Sequence, residues 1–171
     1  MPTSKPSPPS RVSVAAFVYT GGAHPRFLLL KRVEALGGFW QPITGVVDDG
    51  ESPRDAVVRE VAEESGIRRF TRVTDLDYAY DYPANGQTCT ERCFAMEVAP
   101  DTPVTLSDEH TTFCWRDYAE ATRLLFYQEY RDALERLKAL LSDGTPPAPR
   151  RDGAAPRAGT GRRTPRRSST R

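Results

Sequence analysis

The sequence predicts a mixed α/β fold, an α+β sandwich in which a mixed β-sheet lies between helices. Segments rich in β-branched and aromatic residues flank a central helical segment, an Asn-Gly turn joins two of them, and an amphipathic segment follows. A strand, a helix, a hairpin and a second helix in that order favour a sheet covered by helices.

The strands are predicted from β-branched and aromatic composition bounded by turn residues. They are Arg11–Thr20, Arg26–Arg32, Arg69–Tyr82 and Thr88–Val98, with a shorter one inside Thr105–Trp115. The turn Pro83–Gly86 joins the third and fourth as a hairpin. Period-two spacing puts Tyr78, Tyr80 and Tyr82 on one face, where they either pack in the core or line a ring pocket.

Two helices are predicted. In the first, Ser52 is the N-cap, Pro53 occupies the first helical position and Gly66 is the stop. Apolar residues at near-helical spacing predict the second over Asp117–Leu141. The residues of the first helix expected to face the core are Val58, Val61 and Ala62.

Composition divides the chain into a flexible segment at 1–10, a globular domain at 11–141 and a disordered basic tail at 142–171. Residues 143–171 carry a local charge balance of +6, whereas residues 1–142 carry −5. The tail is expected to make at most weak contact with nucleic acid. With no apolar run of membrane-spanning length and no signal peptide at 1–10, we expect a cytoplasmic protein. Its three cysteines, Cys89, Cys93 and Cys114, are expected to be free buried thiols.

The first helix carries a compact group of acids. Glu60, Glu63 and Glu64 are spaced i, i+3, i+4, so they fall within an arc of about 100°. Carboxylates about 6 Å apart repel each other by about 3 kcal/mol at an effective dielectric constant near 20. A cation among them explains the group, and oxygen ligands suit magnesium, manganese or calcium rather than zinc. A solvated acidic helix face is the alternative.

The spacing around these acids resembles the Nudix box at every defined position. The residues that carry the resemblance are Gly45, Glu51, Arg59-Glu60-Val61, Glu63-Glu64 and Gly66-Ile67, separated by five, seven, one and one residues. The resemblance implies a Nudix fold over residues 11–141 and an enzyme that hydrolyses a diphosphate linked to another group. It further implies a divalent metal cofactor, Mg²⁺ or alternatively Mn²⁺, and it allows a homodimer.

Roles in the site follow from the same resemblance. The implied metal ligands are Glu60, Glu63, Glu64 and the carbonyl of Gly45. Arg59 is expected to fix the carboxylates through charge-assisted hydrogen bonds, and Glu51 to pair with Arg59. The general base is either a box glutamate or an acid outside the box. Glu109 is the outside candidate, because its EH-x4-W segment resembles the segment after the hairpin whose acid often reaches the metal site in this family; the alternative is an exposed loop acid.

Substrate contacts are predicted outside the box. Lys31 and Arg32 end a strand beside the acidic site, where they form either a phosphate clamp or a plain charged strand end. Trp40 either packs in the core or offers a flat surface to a ring.

The stretch GFWQPITGVVDDGES is similar to the bacterial dihydroneopterin triphosphate diphosphatase branch, which implies a small triphosphate substrate and pyrophosphate release. A general (d)NTP pyrophosphatase and a diadenosine polyphosphate hydrolase are alternatives, the latter disfavoured by Thr44 before Gly45. A non-catalytic nucleotide-binding module is the alternative of a different class.

Overall fold

Seven strands form one mixed sheet in the computed structural model, which describes residues 11–143. The strands are β1 (Arg11–Thr20), β2 (Phe27–Arg32), β3 (Trp40–Gln41), β4 (Ile43–Val46), β5 (Arg72–Ala84), β6 (Gln87–Val98) and β7 (His110–Arg116). The helices are α1 (Pro53–Ser65), α2 (Tyr118–Leu124) and α3 (Gln128–Ser142). The predicted segment 1–10 and nearly all of the predicted tail lie outside the described residues.

Strand β1 is the centre of the sheet. Along one edge it pairs in parallel with β6, from Arg11 opposite Cys89 to Thr20 opposite Val98. Along the other edge it pairs antiparallel with β4, where Gly45 lies opposite Val14, and then with β2. Strand β2 also pairs with β3 and β7. Because β4 runs into the loop before α1, the sheet places the start of that helix beside the first half of β1.

The sheet has an apolar core on each face, because side chains alternate along each strand. Even-numbered residues of β1, such as Val14 and Ala16, pack with α1. Odd-numbered residues, such as Ala15 and Phe17, pack with α2 and α3. The predicted sheet between helices is therefore confirmed.

The predicted hairpin is also confirmed. Strands β5 and β6 join through Asn85 and Gly86, whose φ angles of 50° and 76° are left-handed. Tyr78, Tyr80 and Tyr82 lie on one face, with successive ring centroids 6.1 and 6.3 Å apart. Tyr80 and Tyr82 are buried in the α3-side core, so the tyrosines pack together.

The single helix predicted over Asp117–Leu141 is wrong, because two helices occupy the segment. Between them the backbone pairs with β3: Leu125 forms a bridge with Trp40, and the N–H of Phe126 donates to the Trp40 carbonyl at 3.3 Å. Arg131 donates to the Leu125 carbonyl at 2.7 Å. These tertiary bonds replace helical ones, and apolar spacing alone does not reveal them.

Cys89, Cys93 and Cys114 are buried and unbridged, as predicted. No helix within residues 11–143 combines the length and the hydropathy needed to cross a membrane.

Candidate active site

The acidic helix begins and ends where the sequence predicts. The Ser52 hydroxyl accepts the N–H of Asp55 at 3.1 Å, and Pro53 is the first helical residue. At the other end Gly66 has a φ of 71° and its N–H donates to the carbonyl of Ala62. Because both ends are capped locally, the positions of the acids along α1 are well defined.

The buried face of α1 differs from the prediction. Val61 is buried as expected, but Val58 and Ala62 are only partly buried. The buried residues are Ala56, Val57, Val61, Glu64 and Ser65. At 100° per residue this face centres on Val57, Val61 and Glu64, so Glu64 lies within the buried face and Glu60 beside it, instead of opposite it. The sheet therefore draws part of the acidic group into the protein.

The three acids divide into an inner pair and an outer member. The side chains of Glu60 and Glu64 are 13% and 9% exposed, whereas that of Glu63 is 59% exposed. Buried carboxylates require compensating charge or hydrogen bonds. The solvated-face alternative therefore suits Glu63 but not the other two.

Gly45 leaves the space that Glu60 occupies. A Cβ built at Gly45 would lie far inside van der Waals contact of the Glu60 carboxylate. The absent side chain thus lets this carboxylate lie directly against the backbone of β4. The helix acid and the strand backbone are brought together in this way.

Arg59 binds most of the acids around the start of α1. It donates two hydrogen bonds of 2.9 Å to Glu51, one of 2.7 Å to Glu60 and one of 3.3 Å to Glu63. A fourth acceptor is the carbonyl of Val46, at 2.8 Å. Hydrogen bonding to Glu51 raises the pKa of Arg59. One planar guanidinium therefore links the loop, the strand and the helix.

The same contact acts on Glu51. The Arg59 guanidinium, helped by the backbone N–H of Asp48, lowers the pKa of the Glu51 carboxyl below its ordinary value of 4.5. A carboxyl whose pKa is lower in the folded chain adds stability above its unfolded pKa and loses it as the pH falls through its folded pKa.

Glu51→Gln is therefore expected to lower the melting temperature near neutral pH and to reduce its fall below pH 4.5. Thermal unfolding followed by circular dichroism between about pH 7 and about pH 3 measures this. Glu135→Gln, an exposed change on α3, is the control. Identical pH profiles for the wild type and Glu51→Gln would contradict the assignment.

The loop before β7 brings Glu109 and His110 to the same region. Backbone N–H groups of Thr105 and Ser107 donate to the carbonyls of Ser65 and Glu64, at 2.9 and 3.2 Å. The buried His110 places Nε2 at 3.8 Å from Glu64 Oε2. The loop is thus attached to the C-terminal end of α1, and Glu109 directly precedes the buried His110 in the chain.

The two predicted cationic contacts point in different directions. Lys31 and its strand partner Trp40 belong to the α3 side of the sheet, where Trp40 packs partly buried against that core. The Lys31 ammonium lies 3.8 Å from Glu34, and the Lys31 side chain is 35% exposed. The Arg32 side chain is only 6% exposed and lies 3.6 Å from Glu109. The adjacent cations do not form one clamp in this conformation.

Sequence inspection missed the inward direction of Arg32 and the approach of His110 to Glu64. Period-two alternation contained part of the signal, since Arg32 shares its parity with Leu28 and Leu30, which are buried on the α1 side.

The donor atoms suit a hard divalent cation. Glu60 and Glu64 supply carboxylate oxygens, and the space at Gly45 lets the Glu60 carboxylate meet the strand backbone. In this conformation the described residues do not gather three or more His, Cys, Asp or Glu side chains around one point. Glu60 is instead paired with Arg59. The donor atoms therefore fit a divalent cation, and in this conformation the positive charge beside Glu60 is the Arg59 guanidinium.

The site thus combines a glycine-bearing strand end, an acidic helix and an arginine that binds the acids of that helix. The model of the NUDIX domain matches residues 9–137, and the chain belongs to the Nudix family of hydrolases. Members of this family generally use divalent metal ions such as Mg²⁺. The mixed sheet flanked by helices is the Nudix fold.

The chain is similar to several named proteins. An octanoyltransferase of Myxococcus xanthus is 38% identical over 136 residues, which cover 77% of this chain but only 38% of that protein. The dihydroneopterin triphosphate diphosphatase of Haemophilus influenzae is 28% identical over 137 residues, covering 72% of this chain and 85% of that one. A solved C. elegans Ap4A hydrolase in a binary complex superimposes with a TM-score of 0.68 and 26% identity, covering 78% of this chain and 98% of that one.

Proposed function

We propose that this chain hydrolyses a diphosphate linkage in a small nucleoside triphosphate-like substrate with Mg²⁺, or Mn²⁺ in its place, releasing pyrophosphate and a monophosphate. The observation that carries the proposal is the Glu60 carboxylate seated against Gly45, with Glu64 beside it on the inner side of α1. Partly buried acids that lie so close together cost free energy unless nearby positive charge compensates them, and a divalent ion would add to the charge that Arg59 supplies.

The residues divide the chemical work. A bound divalent ion supplies neutralisation of the phosphate oxygens and a more acidic water. Glu60 and Glu64, with Gly45, would hold that ion, and Arg59 keeps Glu60 oriented through its 2.7 Å hydrogen bond. Glu63, more exposed, is available as a further ligand. Glu109 is 45% exposed, so we assign its carboxylate a double role: it would reach the bound ion and accept a proton from the attacking water.

Contacts with the rest of the substrate are proposed at the end of β2, where Lys31 precedes Arg32. The Lys31 side chain is 35% exposed and its ammonium can pair with a phosphate, and Trp40 is partly exposed. Lys31 and Trp40 would make the same kinds of contact with any substrate that contains a triphosphate and a ring. They would therefore affect how tightly the substrate binds more than which bond is broken.

Among candidate substrates, dihydroneopterin triphosphate has the best support. The FWQ and Thr44-Gly45 residues resemble that branch, and the Haemophilus relative aligns over most of both chains. A diadenosine polyphosphate is the second candidate, favoured by the similarity to the C. elegans hydrolase. The transferase name of the Myxococcus protein is not adopted, because this chain spans 38% of it.

A substrate panel with Mg²⁺ tests the proposal. It comprises dihydroneopterin triphosphate, the common (d)NTPs, diadenosine polyphosphates and nucleotide sugars, compared by kcat/KM and by the phosphate product released. We expect pyrophosphate from the triphosphates, the highest kcat/KM for dihydroneopterin triphosphate, and loss of turnover in excess chelator. Similar kcat/KM for all (d)NTPs would favour a general pyrophosphatase.

Binding of these compounds without any turnover would instead favour a non-catalytic module. The retained acids Glu60, Glu63 and Glu64 with Arg59 argue against that outcome. We also propose a cytoplasmic location, in keeping with three unbridged thiols.

A further inference from the structure

Strand β2 ends in two cations with unlike surroundings. Lys31 belongs to the α3 side of the sheet, and its side chain is partly exposed. Arg32 belongs to the α1 side, where Leu28 and Leu30 of the same strand are buried. Only 6% of the Arg32 side chain is exposed. A guanidinium so enclosed is poorly placed to meet a substrate that arrives from solvent.

Burial of Arg32 requires a nearby negative charge. Moving a cation out of water costs several kcal/mol unless a partner compensates it. Glu109 provides that charge, with Oε2 at 3.6 Å from Nη2 of Arg32. The backbone supports the pair, because the N–H of Val33 donates to the Glu109 carbonyl at 3.0 Å. The Glu109 side chain is nevertheless 45% exposed, so it pairs with Arg32 and remains accessible from solvent.

His110 occupies the corresponding position behind Glu64. It is the strand partner of Arg32 in the β2–β7 pair. Its side chain is fully enclosed, and Nε2 lies 3.8 Å from Glu64 Oε2. The N–H of Ser107 donates to the Glu64 carbonyl at 3.2 Å, which ties the loop to the same residue. The neighbouring buried side chains of Arg32 and His110 thus each lie within 4 Å of one acid, Glu109 and Glu64 respectively.

We propose that Arg32 and His110 are positioning residues that hold Glu109 and Glu64, respectively, toward the bound metal ion. The proposal rests on the proposed metal-dependent function. Arg32 acts through Glu109 and makes no direct contact with phosphate, whereas Lys31 contacts the substrate. Residues that orient metal ligands in this way typically change metal affinity about 10- to 100-fold when they are replaced.

Arg32→Met and Lys31→Met form a matched pair that tests this assignment. Each removes one cation from adjacent positions of β2 and keeps an unbranched side chain. Mn²⁺ affinity is measured on the protein without substrate, by paramagnetic resonance or calorimetry, and kcat and KM are measured separately. Arg32→Met is expected to weaken Mn²⁺ binding about tenfold and to lower kcat with little change in KM. Lys31→Met is expected to raise KM and to leave Mn²⁺ binding unchanged.

A double-mutant cycle identifies the partner. If Arg32 acts through Glu109, Arg32→Met adds little further loss in a Glu109→Gln background, because the carboxylate that it holds is already gone. Arg32→Lys, which keeps the charge, is expected to restore part of the Mn²⁺ affinity. His110→Gln provides an independent variant that is expected to weaken Mn²⁺ binding without raising KM.

Two results would overturn the assignment. One is an Arg32→Met variant with raised KM and unchanged Mn²⁺ affinity, since that pattern belongs to a phosphate contact. The other is full additivity of Arg32→Met and Glu109→Gln. A wild-type protein that binds no Mn²⁺ and turns over none of the panel would reject the proposed function instead. If Arg32→Met does not fold, unchanged Mn²⁺ affinity in both Glu109→Gln and His110→Gln would reject the positioning role.

Discussion

Glu64→Gln is expected to lower kcat by about two to three orders of magnitude, which corresponds to roughly 3–4 kcal/mol of transition-state stabilisation. The exchange keeps the shape of the side chain and removes its charge. Glu64 is 9% exposed and lies on the inner side of α1 beside His110, where no other described acid takes its place. The neutral amide is a much weaker ligand for a hard cation than a carboxylate.

The fold should survive this change, because the capped ends and the apolar stripe of α1 do not depend on the charge. Initial rates of pyrophosphate release and the melting temperature are therefore measured on the same preparation. Glu135→Gln, an exposed change on α3, is expected to match the wild type in both. Full turnover by Glu64→Gln would exclude the metal mechanism proposed above.

Gly45→Ala is expected to have a comparable effect for a purely steric reason. The added methyl group would overlap the Glu60 carboxylate, so the carboxylate has to leave its place against β4. Its 2.7 Å hydrogen bond to Arg59 would be disturbed at the same time. We expect kcat to fall about 100-fold or more and Mn²⁺ affinity to weaken, since misplacement of a catalytic group by about 1 Å can cost that much.

Gly21→Ala is the matched control, because its methyl group would also meet a carboxylate, that of Glu97. The Glu97 carboxylate pairs with Arg72 at 2.9 Å and accepts a hydrogen bond from the Tyr19 hydroxyl at 3.5 Å, so its described contacts do not involve α1. Gly21→Ala should therefore lose some stability and keep its turnover. Equal kcat for Gly45→Ala and the wild type would show that the position of Glu60 is unimportant for catalysis.

Local signals in the sequence were sufficient for α1. Ser52, Pro53 and Gly66 determine its ends through contacts within a few residues, and those contacts are present. The i, i+3, i+4 spacing also put the three acids near one another. Spacing did not distinguish exposed Glu63 from enclosed Glu64, because their burial depends on how α1 rests on β1 and β4.

Long-range pairing explains most of what the sequence left open. The helix break at Leu125 arises because the chain pairs with Trp40, which is 85 residues away. The proposed role of Arg32 depends in the same way on β7, since Glu109 approaches it across the β2–β7 pair. No periodic pattern around Leu125 or Glu109 indicates these long-range contacts. Period-two alternation indicates only that Arg32 lies on the same face of the sheet as Leu30.

The Arg59 contacts have a consequence for how this site meets its ion. Its guanidinium already neutralises the acids of the loop and of the first turns of α1, so the acidic helix has a counterion of its own before any metal arrives. In the proposed mechanism the ion is therefore added to acids that Arg59 already holds, and both Glu51 and Glu60 keep their hydrogen bonds to the arginine. Because these acidic charges are compensated without the ion, packing of α1 against the sheet does not require metal binding.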